Sequence, residues 1–266
     1  MRQVHYSTKN ENSIDLVLFV NGLPVATIEL KTDNTQSLDD AVAQYRQQRN
    51  PRGEPLLGFA HRALVHFAVS TDRIAMTTRL EGAATRFVPF DRGYDDGAGN
   101  PPTPGKAATA YLWERVLDRD AFLFVLGRLL HLQKTVATDP ITGESTTSTS
   151  LLFPRFHQWE LVTELLATAR REGAGERYLV QHSAGSGKTN SIAWLAHGLS
   201  GLHDEHNDKV FDTVIVVTDR TVLDDQLQRA VRQIEGVDGT VATINADEVR
   251  HAGEASKSCL LYTSPS

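Results

Sequence analysis

The stretch Tyr178-Leu179-Val180-Gln181-His182-Ser183-Ala184-Gly185-Ser186-Gly187-Lys188-Thr189 decides the class of this chain. Its first five residues are a short β-prone run, its middle is glycine-rich, and Ser191 to Leu199 beyond it has the pattern of an amphipathic helix. Strand, glycine loop, Gly-Lys-Thr and helix in that order make a phosphate-binding loop. The glycines let backbone N–H groups close around phosphate oxygens, and the helix N-terminus adds a favourable dipole. Gly185, Ser186 and Gly187 form the cradle, Lys188 is placed for the β- and γ-phosphates, and Thr189 for the Mg²⁺ that accompanies ATP. The strict pattern opens on a glycine where His182 stands.

Working outward, Thr213 to Thr218 is nearly all β-branched, as in a fully buried parallel strand. It leads through Asp219-Arg220 into a helix carrying Leu223, Gln226, Leu227 and Val231. Alternation of strand and helix implies a parallel sheet whose ligands bind at the strand C-terminal ends. Upstream, Phe153 to Trp159 opens another helix; its Arg155 and Gln158 are placed to read an adenine, the competing reading being a capped surface helix.

A second decisive stretch lies near the N-terminus, where Ser13 to Val20 and Leu23 to Lys31 are β-rich runs flanking Asn21-Gly22, a hairpin signal. The run Leu16 to Val20 is apolar on both faces and reads as buried. Asp15, Glu29 and Lys31 stand at the ends of the hairpin. Two carboxylates and an amine are what metal-dependent phosphodiester cleavage requires: Asp15 and Glu29 hold Mg²⁺, and the lysine stabilises developing charge. Glu29 and Lys31 share a face, but Asp15 joins it only with an odd loop; an even loop turns it away. The competing reading is an alternating strand whose charges face water. Gln44-Tyr45, on a helix over Asp39 to Gln48, could brace the lysine or a phosphate, or be ordinary helix residues.

Further strands are expected over Leu64–Ala68, Arg73–Thr78 and Phe87–Phe90, an irregular segment over Asp91–Gly105, and one or two helices over Ala107–Lys134. The small polar run Thr142 to Ser150 reads as a linker or exposed loop. The expected division is a nuclease-like domain over 1–139, the linker over 140–150, and part of a nucleotide-binding domain over 151–256. Residues 257–266 follow no periodic pattern and read as a foreign tail.

Composition narrows the classes. The chain has 266 residues, a net charge of −6 and one cysteine, Cys259, which excludes a disulfide framework and a cysteine-rich zinc site. No run of ~18 apolar residues or secretory signal is present, which points to a cytoplasmic protein without a membrane span. Residues 1–139 hold 16 basic and 16 acidic side chains, so the whole acidic excess lies in the remainder.

Taken together, Leu16–Gly22 with Val25–Lys31, Phe87–Gly93, Gly97–Pro101, Gln181–Thr189 and Val214–Gln226 resemble the restriction (R, motor) subunit of type I restriction–modification enzymes. The likeness runs over roughly residues 9 to 250. It implies an α/β chain with a PD-(D/E)xK endonuclease domain followed by a first RecA-like domain of a DNA translocase. Asp15, Glu29 and Lys31 would then be the nuclease triad, with Gln44 and Tyr45 near the family's glutamine motif and Ile14 in place of its usual proline. Gln158 would sense adenine, Gly185 to Thr189 would be the first helicase motif, and Asp219-Arg220 a DNA-contacting motif. The activity implied is ATP-dependent translocation and Mg²⁺-dependent cleavage of unmodified double-stranded DNA, beside methylation and specificity subunits. Two readings stand against it: a non-catalytic nuclease-like assembly module, and a P-loop helicase of another pathway.

An apolar strand ending in Asp-Glu, the next helicase motif, is missing: Asp204-Glu205 lies in a polar loop and Asp247-Glu248 follows no apolar run. With 78 residues after Lys188, the expectation is a RecA-like domain cut short, inactive as a motor. The first strand is expected to begin by about residue 13, leaving little room for a helix before it.

Overall fold

The computed structural model describes residues 1–32, 36–95, 97–139, 142–217, 221–234, 241–244 and 259–263. Two compact units divide it, Met1–Phe156 and His157–Ser266.

The first unit is built on a mixed six-stranded sheet. Strand β1 (Arg2–His5) pairs antiparallel with β2 (Ser13–Val20), which forms a hairpin with β3 (Leu23–Leu30). Helix α1 (Leu38–Gln48) then crosses over, and β4 (Val65–Val69) returns parallel to β3. Strands β5 (Ile74–Thr77) and β6 (Val88–Pro89) complete the sheet antiparallel, in the order β1-β2-β3-β4-β5-β6. Before residue 13 stands only the short β1. Helix α1 opens with a capping box between Ser37 and Asp40, which satisfies donors that the first turn leaves free.

Burial is deepest in β4 and β5 and along Val25 to Glu29 of β3. The expectation that Leu16 to Val20 is buried on both faces is corrected: Ile14 and Val17 are buried, whereas Phe19 is exposed. Ile14 and Val17 lie three apart on β2 and so point to opposite faces; each face buries one of them, while the exposed Phe19 lies toward the hairpin turn. Ile14, Val17, Ala41, Val42, Tyr45 and Leu57 knit hairpin and helix together.

The Asp91–Asn100 segment is irregular as expected, yet firmly tied. Asp91 Oδ1 accepts from the Ile74 N–H (2.7 Å) and from Asn100 Nδ2 (2.9 Å), and Asn100 Oδ1 accepts from the Arg92 N–H (2.9 Å). Beyond it, helix α2 (Arg119–Phe124) is flanked by π-helical turns Leu112–Val116 and Val125–Leu129.

The expected helix to Lys134 and the expected linker are both corrected. Strands β7 (His131–Thr138) and β8 (Ser145–Leu152) pair as an antiparallel two-stranded ribbon. Its threonines suit an extended backbone, and the ladder supplies the hydrogen bonds that a linker would seek from water. Leu151 and Phe153 anchor its base, Phe153 packing edge-on to Phe67.

The second unit holds helix α3 (Phe156–Glu172), helix α4 (Lys188–Ser200), strand β9 (Thr213–Val217), helix α5 (Thr221–Ile234) and strands β10 (Val241–Ile244) and β11 (Cys259–Thr263). The three strands form a parallel sheet in the order β10-β11-β9. The tail expected to stand outside the fold therefore supplies the middle strand. Ala193 and Ala196 of α4 pack against Leu227, Ala230 and Val231 of α5. The run Tyr178 to His182, expected as a strand, is extended without a ladder, and Leu179 is 94% exposed. Strand β9, expected to be buried, alternates instead, with Ile215 and Val217 exposed.

Candidate functional site

In the first unit, the hairpin decides where the carboxylates go. Its turn is Asn21-Gly22, both with positive φ (49° and 81°), and Val20 faces Leu23 directly. Such a two-residue loop is even, which by the parity argument turns Asp15 away from Glu29. A β-bulge corrects this: Phe19 faces Pro24 but Leu18 faces Ala26, so Val25 has no partner on β2. The register past the bulge sets Leu16 opposite Ile28 and, one step on, Asp15 opposite Glu29.

The two carboxylates differ sharply in surroundings. Asp15 is half-buried, accepting from Gln3 Nε2 on Oδ1 and from the Leu30 N–H on Oδ2, both at 2.9 Å. Glu29 is fully buried. Its Oε1 accepts from Arg49 Nε at 2.7 Å, and its Oε2 is buried with no partner. Burial pushes the Glu29 carboxyl up to about 7; Arg49 works against that rise, and the neighbouring Asp15 adds to it. A divalent cation is the group that an unpartnered buried carboxylate oxygen beside a second carboxylate would suit. Mg²⁺ needs only one or two protein carboxylates, since it keeps much of its water. Among the described residues, no group of three or more His, Cys, Asp or Glu gathers as a metal site.

Lys31 follows Glu29 by two residues, just past the end of β3, where its backbone N–H donates to the Val69 carbonyl at 2.8 Å. Its charge is felt at Asp40, whose carboxyl is held low first by hydrogen bonds from Ser37 and lastly by Lys31.

Behind Glu29 runs a buried polar chain that the sequence reading missed. Thr27 Oγ1 lies 2.8 Å from Tyr45 Oη and 2.7 Å from His66 Nδ1. Burial drives the His66 imidazolium down to about 3, so the ring is neutral, and burial pushes the Tyr45 phenol well above its ordinary value. Tyr45 was expected to meet the lysine or DNA; being fully buried against Thr27, it touches neither. Gln44 is partly buried and its Oε1 has no partner. Arg49 was also missed. Nothing local marks it, because its partner lies 20 residues away on another element; His66, a lone polar residue in an apolar strand, was the legible signal.

In the second unit, the glycine-rich loop read as phosphate-binding lies at the start of α4. Gly185 (φ 74°) and Gly187 (φ 83°) occupy the left-handed region, and Gly187 caps the helix. Lys188 Nζ donates to the His182 carbonyl at 3.1 Å, drawing the loop's two ends together. Thr189 is partly buried on the first helical turn. Gln158, from α3, is buried; its Nε2 donates to the carbonyls of Gly187 (2.9 Å) and Ser186 (3.4 Å). The amide expected to read adenine is thus turned onto the loop backbone and braces it. His157 stands beside it, its Nε2 3.0 Å from the Ser186 carbonyl and its ring edge-on to His182.

Asp219 and Arg220 lie outside the described residues, as do Asp247 and Glu248. Asp204 sits in a tight turn, its Oδ1 accepting from the N–H groups of His206 and Asp208, which matches a surface loop. Among the described residues, no helix is long and apolar enough to cross a membrane.

The comparisons with known proteins follow the two units. Residues 1–84 match the family described as type I restriction enzyme R protein N terminus, and residues 157–263 match the SWI2/SNF2 ATPase family. Together the two matches support a type I restriction enzyme R subunit. No curated protein matches it. The chain thus joins a stretch similar to the restriction-enzyme N-terminal family to one similar to an ATPase, and the ATPase match implies use of ATP. That match extends through β11, the strand read from sequence as a foreign tail.

Proposed function

We propose that the first unit is a PD-(D/E)xK nuclease that cleaves unmodified double-stranded DNA with Mg²⁺, and that the second hydrolyses ATP to move the DNA. The observation that carries this reading is the pair Asp15 and Glu29, brought together across β2 and β3 with Glu29 Oε2 left for a ligand. Asp15 and Glu29 would hold Mg²⁺, which polarises the scissile phosphate and lowers the pKa of bound water. Lys31, on the same face, would neutralise charge that develops on the phosphate oxygens. Arg49 fixes Glu29, while Thr27, Tyr45 and His66 support the strand beneath it.

In the second unit, Gly185 to Gly187 would receive the phosphates through backbone N–H groups, Lys188 would exchange the His182 carbonyl for phosphate oxygens, and Thr189 would reach Mg²⁺. Gln158 and His157 hold the loop in shape. Gln44, Asp219 and Arg220 are proposed as DNA contacts, and methylation and specificity subunits as the partners that read the target site. The division 1–139, 140–150 and 151–256 is kept as the functional one, in a cytoplasmic complex, although β7 and β8 span its middle segment.

Plasmid nicking by the chain with Mg²⁺ tests the nuclease reading. Nicking abolished by Asp15→Ala and by Lys31→Ala is expected; nicking that survives both overturns it. Titration calorimetry with ATP and Mg²⁺ tests the second unit, with binding expected and lost in Lys188→Ala.

A further inference from the structure

Arg49 ends α1 and belongs to neither strand that carries the carboxylates, yet its side chain is 3% exposed. Its Nε donates to Glu29 Oε1 at 2.7 Å and its Nη2 to the Ser13 carbonyl at 2.6 Å, and the guanidinium carbon stands 5.9 Å from the Tyr6 ring centre. One side chain thus fastens the helix end, the entry to β2 and the buried carboxylate of β3. The other charged group beside Glu29 is Asp15, held by Gln3 and the Leu30 N–H, while the charge of Lys31 reaches Asp40. The Glu29 carboxylate is therefore matched in charge by Arg49 before any metal arrives. A cation binding at Glu29 must share its carboxylate with a guanidinium that cannot swing into water, because the Ser13 carbonyl and the helix end hold it.

We propose that Arg49 is a competitor built into the metal site: it neutralises Glu29 in the metal-free chain, and a divalent cation binds tightly only when a DNA phosphate joins the face and restores the charge balance. The proposal rests on the reading of Asp15 and Glu29 as metal ligands. It makes metal loading conditional on DNA, so that the resting site stays unarmed. The sign is opposite to that of a simple scaffold. Removing a scaffold weakens metal binding, whereas removing a competing cation strengthens it.

The test measures Mn²⁺ binding to the full chain at pH 8 without nucleotide, by electron paramagnetic resonance, in the parent, Arg49→Met, Arg49→Lys and Asp15→Asn. Arg49→Met is expected to bind Mn²⁺ at least tenfold more tightly than the parent, with Arg49→Lys between them and binding lost in Asp15→Asn. Arg49→Met leaves a buried carboxylate without its partner; if it does not fold, Arg49→Lys carries the comparison, since it keeps the charge but cannot span Glu29 and Ser13. In a second arm, Ca²⁺ binding to the parent is expected to tighten at least tenfold when a short DNA duplex is added, and less so in Arg49→Lys. Arginine variants that bind no more tightly, while Asp15→Asn abolishes binding, overturn this proposal and leave the metal site standing. No binding by the parent with or without duplex, or binding that survives Asp15→Asn, overturns both.

Discussion

Glu29 and His66 sit on adjacent strands and respond to pH in opposite directions. The Glu29 carboxyl rises from 4.5 to about 7 in the folded chain, mainly through burial, so folding favours its protonated form. Its contribution to stability is complete below about 4.5 and is lost as pH climbs through about 7. The buried His66 falls from 6.5 to about 3, so folding favours the neutral ring; its contribution is complete above 6.5 and is lost as pH falls. In the parent the two slopes oppose each other between those limits. Glu29→Gln is expected to uncover the His66 slope, so the variant should lose stability relative to the parent by an amount on the order of 3 kcal/mol between pH 8 and pH 5. Denaturation midpoints at the two pH values check this, and parallel curves refute it. Thr27→Val keeps the strand's shape but takes a hydroxyl from both Tyr45 and His66. A cost of ~1–3 kcal/mol is expected in urea unfolding, as for buried polar groups left unpaired. None of these pairings was legible in sequence beyond His66 standing alone in an apolar run, because hydrogen bonds between residues 18 and 39 apart leave no local pattern.

Among the elements, those with a strong period were legible: the hairpin, α1, β4, β5, α4 and α5 fall within a few residues of where patterning puts them. The ribbon of β7 and β8 was not, because Ser145 to Ser150 has no apolar face and its ladder is formed by its neighbour rather than by a core. The glycine-rich loop ahead of α4 was legible as a motif, but the brace that Gln158 gives it was not. A Cβ on Gly187 would stand 2.6 Å from Gln158 Nε2, at a φ of 83° that side chains rarely adopt. Gly187→Ala is therefore expected to push the brace away, costing ~1 kcal/mol or more of stability through the backbone alone. ATP affinity should fall at least tenfold with it, by calorimetry. Gly185→Ala meets no neighbouring atom and should lose less, although its φ is 74°.

At the scale of the molecule, the charge map constrains how DNA is held. The net −6 lies wholly beyond residue 139, and the proposed nuclease half is neutral. A protein that grips duplex DNA through six to ten phosphates loses roughly 10³–10⁵ in affinity between 50 and 200 mM salt. This chain alone is expected to show a much shallower dependence, with a loss under about a hundredfold on a fluorescent duplex; a steep slope would mean a concentrated basic surface that its composition hides. The two-unit plan was visible in sequence, although the boundary falls after Phe156 and not in a polar linker.

Thirteen residues lie between Asp15 and Glu29, and five cross-strand pairs with the Asn21-Gly22 turn use all of them except Val25. Val25 is slack in the chain. A homologue could drop it, or shift the spare residue into the turn, and still seat the same two acids face to face. Spacing between the acids is consequently a poor signature for finding this site in other genomes: a search that insists on thirteen discards relatives whose geometry is unchanged, and one that counts paired positions keeps them.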